Sequence, residues 1–277
     1  MKLESVFRQP SMTMNDFFGY RPYTVKSPLN YPGSKFRGAK HILPYFPKGM
    51  TELVSPFFGA GHIELKLAVS GVKIYGSDLY WDLVNFWTCL QSSPSDCECL
   101  AMSYYPMTPD RLDRIWYSYK DLSNKHKAVV FWIVHKATFG SLGFAGVCRL
   151  NTKSNCFNYN SIKKLGQFYN PNIEVTHKDY ENALLSNPET FAYCDPPYML
   201  KKPDADLYGY KGEIHKTFSH ERLFSVLDKR KNWILSYNNC PEVRDMYKDY
   251  RQEFPVWSNT LNPKSETTEI LIINTGE

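Results

Sequence analysis

The stretch FAYCDPPYML, residues 191–200, runs an apolar segment into a carboxylate, Asp195, followed by two prolines and an aromatic ring, Tyr198. Proline fixes φ and has no N–H, so Pro196 and Pro197 stop the chain from continuing as strand or helix and make the corner rigid. The corner then offers a carboxylate, backbone carbonyls without matching donors and one ring. Taken alone, the same residues describe a strand and a stiff turn without chemistry. A second constellation lies in SPFFGAG at 55–61 and GSD at 76–78. Glycines between a strand and a helix let backbone N–H groups approach a ligand, and Gly59 and Gly61 provide this without the third glycine and lysine of a phosphate cradle. A dinucleotide or nucleoside triphosphate is therefore disfavoured. Asp78 ends the following strand, the position from which a carboxylate holds ribose hydroxyls in nucleoside-binding α/β sheets.

These groups need a scaffold, and the hydrophobic pattern predicts one. Strands are expected at 52–54, around VKIYGSD, and at 173–179, 191–194, 233–238 and 269–275, with helices at 37–46, 62–70, after Asp78, at 219–230 and at 241–249. The alternation predicts an α/β fold, a doubly wound and mostly parallel sheet, with ligands outside the carboxyl ends of its strands. The segment from 90 to 170 interrupts the alternation with helices near 108–120 and 125–138 and then a stretch rich in Gly, Asn and aromatics. It reads as a smaller, mainly helical insertion carrying a loop. The expected division is an arm at 1–26, a catalytic domain at 27–89 and 171–277, and a recognition domain at 90–170.

Composition narrows the class. The 277 residues are 43% hydrophobic, enough for a sizeable core, and no apolar run approaches the roughly 20 residues that span a bilayer. The first residues lack the apolar centre of a signal peptide. Seven scattered cysteines without a C-x-x-C pair argue for free thiols in a reducing compartment, cytosol or nucleus, and against a metal site. The net charge of +5 is modest, but between 120 and 170 Lys120, Lys125, Lys127, Lys136, Arg149, Lys153, Lys163 and Lys164 face one acid, Asp121. A polyanion can use such a surface, and so can plain solvent. His135, on FWIVHKATF, reads as a core or helix-face histidine.

In order along the chain, NYPGSK at 30–35, SPFFGAG, GSD, HKDYENAL at 177–184, YCDPPY at 193–198 and WILSYNNCPEVRDMYKDY at 233–250 resemble the motifs of the Dam-like N6-adenine DNA methyltransferases. The likeness covers nearly everything from residue 27 on. It implies S-adenosylmethionine as cofactor, duplex DNA as partner and a cognate restriction endonuclease as a second one. It assigns Tyr31, Lys35, Phe57, Gly59, Gly61, Asp78, Asp179, Tyr180 and Asp195 to the cofactor, with Lys35 at its carboxylate and Asp179 at its adenine amine. Phe57, Phe58 and Tyr180 are aromatics for the adenine pocket or the core. Asp195, Pro196 and Tyr198 are assigned to catalysis, and Arg149, Asn151, Lys153, Asn155, Asn158 and Asn160 to DNA. Where the family commonly has an acid before its Pro-Phe, this chain has Ser55.

The residue types fit that chemistry. An exocyclic adenine amine is a poor nucleophile because its lone pair is delocalised into the ring. Asp195 and the Pro196 carbonyl can each accept an N–H bond, localise the pair and stabilise the positive charge that grows as methyl arrives in line. Asp195 acts as an ionised acceptor rather than a strong base. Tyr198 can stack on a base that has left the duplex. Other acceptors stay open at this point, namely cytosine in DNA, adenine in RNA or a protein glutamine, as does a decayed DNA-binding module.

Overall fold

The run WILSYN at Trp233–Asn238 and the run EILIIN at Glu269–Asn274 are buried almost end to end, as in strands covered on both faces. They belong to a seven-stranded sheet. The structure is a computed structural model that describes residues 24–139, 143, 146, 148, 150, 152, 155–199, 218–256 and 269–275. In chain order the strands are β1 (Glu52–Ser55), β2 (Lys73–Asp78), β3 (Ile173–His177), β4 (Ala192–Cys194), β5 (Trp233–Asn238), β6 (Arg251–Glu253) and β7 (Glu269–Asn274). Their spatial order is β3-β2-β1-β4-β5-β7-β6. β1 to β5 are parallel, whereas β7 runs antiparallel between β5 and β6. The expected α/β fold with a mostly parallel sheet is the one observed.

Helices cover both faces. They are α1 (Ala39–Ile42), α2 (His62–Val69), α3 (Trp81–Ser92), α4 (Pro94–Ser103), α5 (Pro109–Tyr117), α6 (Asn124–Ala137), α7 (Tyr159–Gly166), α8 (Tyr180–Leu185), α9 (His220–Asp228) and α10 (Pro241–Met246). Successive strand residues point to opposite faces, so Leu53, Ile234 and Leu271 enter one apolar cluster while Val54, Leu235 and Ile272 enter the other. The first cluster packs α2, α3 and α6 on the sheet, and the second packs α9 and α10.

The segment from 90 to 170 shares the first of these cores. Val129, Phe131 and Trp132 of α6 and Ile162 of α7 lie in one cluster with Leu53 and Ile74 of the sheet, and the expected boundary after residue 89 falls inside α3. Two helices in this segment, α4 and α7, were not expected from the pattern. α7 starts on a capping box in which Asn158 and Ser161 exchange side-chain and backbone hydrogen bonds. α4 brings acids to the basic surface: Lys125 pairs with Asp96 and Lys163 with Glu98, each at 2.6 Å. The strong local excess of positive charge read between 120 and 170 is thus reduced by acids from outside that window. Among the described residues no helix is long and apolar enough to cross a membrane.

Candidate active site

The order of strands reverses between β1 and β4, and at such a point the loops leaving two neighbouring strands diverge and open a crevice. Val54 pairs with Ala192, so the glycine loop leaving β1 and the Asp195 corner leaving β4 emerge side by side. Both line one cavity of about 280 Å³, together with Lys35, Glu64, Asp78 and Tyr180.

The glycine loop is held from three sides. Asp78 at the end of β2 accepts the Gly59 N–H at 3.1 Å through Oδ2 and the Tyr80 N–H at 3.0 Å through Oδ1, tying the loop to the start of α3. Burial pushes the Asp78 carboxyl up to about 6, with these backbone donors pulling back. The indole N–H of Trp87 donates to the Gly59 carbonyl at 2.9 Å. Beneath the loop lies Phe58, which is 2% exposed and meets Trp87 edge to face. Gly61 has φ +64, and a Cβ there would come within 2.8 Å of the Phe58 ring, so both backbone and packing demand glycine. Of the two candidate aromatics, Phe58 therefore serves the core beneath the loop. Phe57 instead stacks on Tyr180 at 5.4 Å and, with Phe218, forms an aromatic corner of the cavity.

Asp179 is the N-cap of α8, its Oδ1 accepting the Glu181 N–H at 3.0 Å. That role ends β3 at His177, two residues short of the expected strand. Arg222 from α9 lies 3.8 Å from Asp179, pairs with Glu181 and sits over the Tyr180 ring. Neither Phe218 nor Arg222 was expected at the site, because they reach it from a distant part of the chain.

At the other end, the Lys35 ammonium donates to both oxygens of Asp195, at 2.6 and 2.8 Å. It also lies 3.8 Å from Glu269 and 4.8 Å from the centroid of the Tyr198 ring. Lys35 was expected at a cofactor carboxylate; in the structure its partner is Asp195, the acceptor that a buried ammonium requires. Burial raises the Asp195 carboxyl while Lys35 and the Tyr198 hydroxyl pull it back, and burial likewise takes Glu269 to about 6. Pro196 is buried, and Tyr198 stacks on Tyr237 at 5.7 Å with the planes 21° apart. Asn238 at the end of β5 pins the next residue twice, accepting the Met199 N–H at 3.0 Å and donating to its carbonyl at 2.9 Å.

Tyr31 lies beside Gly59 and stacks on His135 at 5.4 Å. His135 is buried, its Nδ1 at 2.8 Å from the Phe131 carbonyl, and burial lowers its pKa to about 4, as a neutral core imidazole requires. Two more bonds join α6 to the same N-terminal stretch: Trp132 donates to the Pro28 carbonyl at 3.0 Å and Lys136 to Asn30 at 2.7 Å. Among the residues expected at DNA, Arg149, Asn151 and Lys153 lie outside the described residues. Asn155 and Asn158 accept the N–H groups of Phe157 and Ser161 on their Oδ1 atoms, and Asn160 is exposed on α7.

Residues 31–262 match the family described as D12 class N6 adenine-specific DNA methyltransferase. The chain belongs to that family. This methyltransferase is 27% identical over 238 residues to the DNA adenine methylase of Vibrio cholerae serotype O1, covering 79% of the chain and 84% of the relative. It is 24% identical over 278 aligned positions to the DNA adenine methylase of Haemophilus influenzae, covering 87% and 88%. Membership selects adenine N6 in DNA over the other acceptors that the residues alone left open. As a member of this family the chain is an adenine-specific DNA methyltransferase.

Proposed function

We propose that this methyltransferase uses S-adenosylmethionine to methylate N6 of an adenine turned out of duplex DNA, with Asp195, Pro196 and Tyr198 holding the target base. The observation that carries the reading is the shared cavity, which has the acceptor corner of β4 at one end and the glycine loop with Asp78 at the other. The residues fit the cofactor. The buried carboxyls of Asp195 and Glu64 in the cavity wall suit a ligand bearing positive charge, and Phe57, Tyr180 and Phe218 suit a purine. Tyr31, Lys35, Phe57, Gly59, Gly61, Asp78, Asp179, Tyr180 and Asp195 are the proposed cofactor contacts. When bound, the cofactor supplies an electrophilic methyl group on a sulfonium.

The chain's own residues do the rest. Asp195 and the Pro196 carbonyl accept the two N–H bonds of the target amine and bias its nitrogen towards tetrahedral geometry. Lys35 takes one acceptor site on each Asp195 oxygen, and the second lone pair of either oxygen is the one that meets the amine. Tyr198, braced against Tyr237, presents a face for the extruded base. Asp195 stays ionised, and the amine proton leaves only after methylation has made it acidic.

The segment from 90 to 170, with Arg149, Asn151, Lys153, Asn155, Asn158 and Asn160, is the proposed reader of DNA. A cognate restriction endonuclease is the further partner proposed, on the family resemblance alone. A reducing compartment is proposed from the seven free cysteines. The reading is tested by incubating the protein with plasmid DNA and methyl-labelled S-adenosylmethionine and separating the nucleosides after digestion. Label in N6-methyl-2′-deoxyadenosine is expected, and label in N4-methyl-2′-deoxycytidine or in no nucleoside contradicts the reading.

A further inference from the structure

Glu64 is a buried acid of the cavity wall with no part in the proposed transfer. It sits in the first turn of α2 and is 3% exposed, with its Oε1 accepting the hydroxyl of Ser55 at 2.7 Å. Ser55, at the end of β1, has no exposure at all. Burial holds the Glu64 carboxyl up at about 7, with the negative charge of Asp195 adding to the shift and the Ser55 hydroxyl opposing it. A buried carboxylate is costly unless a cation meets it. Asp195 is in electrostatic reach of both Glu64 and Glu269, and among the described residues Lys35 is the one cation that forms an ion pair with any of the three. Lys35 is committed to Asp195 and meets Glu269 only at 3.8 Å. The neighbouring His62 cannot supply the missing charge, because burial and the surrounding lysines lower it to about 4. Among the described residues no side-chain cation meets Glu64, the buried acid of the cavity wall, in an ion pair.

We propose that Glu64, oriented by Ser55, is the acceptor for the ammonium group of the cofactor's amino-acid end. This rests on S-adenosylmethionine being the ligand of the cavity. A cation entering beside Glu64 adds a charged partner to the Ser55 hydroxyl and the backbone N–H groups of Ile63 and Glu64 already bonded to its carboxylate, and favours its ionised form. The arrangement also accounts for serine at position 55. A second carboxylate there would face Glu64 across the same 2.7 Å contact and set two like charges together, whereas a hydroxyl donates to it. The acid has thus moved from the end of β1 to the first turn of α2. The carboxylate also caps the first turn of α2 through the N–H groups of Ile63 and Glu64, and it lines the cavity as well.

The test is calorimetric binding of S-adenosylhomocysteine and of its analogue lacking the α-amino group, to the wild-type chain and to Glu64→Gln. The expected result is an affinity for S-adenosylhomocysteine lowered at least about tenfold by Glu64→Gln, the scale of a lost charged hydrogen bond, with the deaminated analogue binding both proteins equally. Ser55→Ala keeps the carboxylate and loosens it, so a smaller loss confined to the amino-bearing ligand is expected from a variant that leaves α2 intact. Equal weakening of both ligands, or no weakening, overturns the assignment of Glu64. A wild-type chain that binds neither ligand overturns the cofactor reading beneath it.

Discussion

The contact between Lys35 and Asp195 sets the chemistry at the scale of single residues. Burial alone raises the Asp195 carboxyl, and the adjacent ammonium lowers it towards the ionised form that can accept the amine. Removing that ammonium with Lys35→Met raises the Asp195 pKa, so a larger fraction is protonated at a given pH and the acid limb of activity moves to higher pH. A displacement of at least about one pH unit is expected in single-turnover methylation at saturating cofactor. An unmoved limb would mean that Asp195 does not need its charge. Gly61 is constrained differently, by φ +64 and by Phe58. Gly61→Ala is expected to lower unfolding free energy by about 1–3 kcal/mol in a denaturant melt, and an unchanged midpoint would contradict the packing described. Most of this site was legible at residue level, since Asp195, Asp78 and the two glycines carry their chemistry in type and spacing. Glu64 was not. The helical pattern over 62–70 does not single it out, and only the packing of α2 on the sheet shows that the acid is buried.

At the scale of elements, what matters is how strand ends are fixed. β5 delivers Asn238, whose two bonds to Met199 hold the chain just past Tyr198. Asn238→Ala frees that segment. Because misplacement by about 1 Å costs on the order of 100-fold, a comparable fall in the single-turnover rate is expected with cofactor affinity unchanged. A rate within the wild-type range would show that the prolines position the corner unaided. β5 was legible to its last residue because an apolar run ends at a turn signal. β6 was not, because Arg251–Glu253 is a short polar edge strand defined only by its pairing to β7. Asp179 shortened β3 by capping α8, a competition between strand and helix that the segment's own sequence left open. The clamp of α6 on residues 28–31 joins the proposed recognition segment to the proposed cofactor motif, and hydrogen bonds across that sequence separation leave no periodic trace.

For the whole molecule, the mostly parallel sheet was legible from the β-α-β pattern, with ligands expected at the carboxyl ends of its strands, but the strand order and the crevice where β1 and β4 diverge were not. The charge of the proposed DNA face was not, since counting along the chain could not reveal that Asp96 and Glu98 fold against Lys125 and Lys163. Those pairs temper a phosphate-seeking surface. Glu98→Gln releases Lys163, and duplex affinity is expected to rise with the slope of log K against log salt steeper by about one. An unchanged slope would place Lys163 away from the phosphates. The central claim concerns Asp195, and the most direct measurement follows labelled methyl transfer to DNA adenine alongside S-adenosylmethionine binding for wild type and Asp195→Ala. The account predicts that the variant binds the cofactor with at most a partial loss and transfers no methyl. Methyl transfer by Asp195→Ala at a rate near that of the wild type would contradict it.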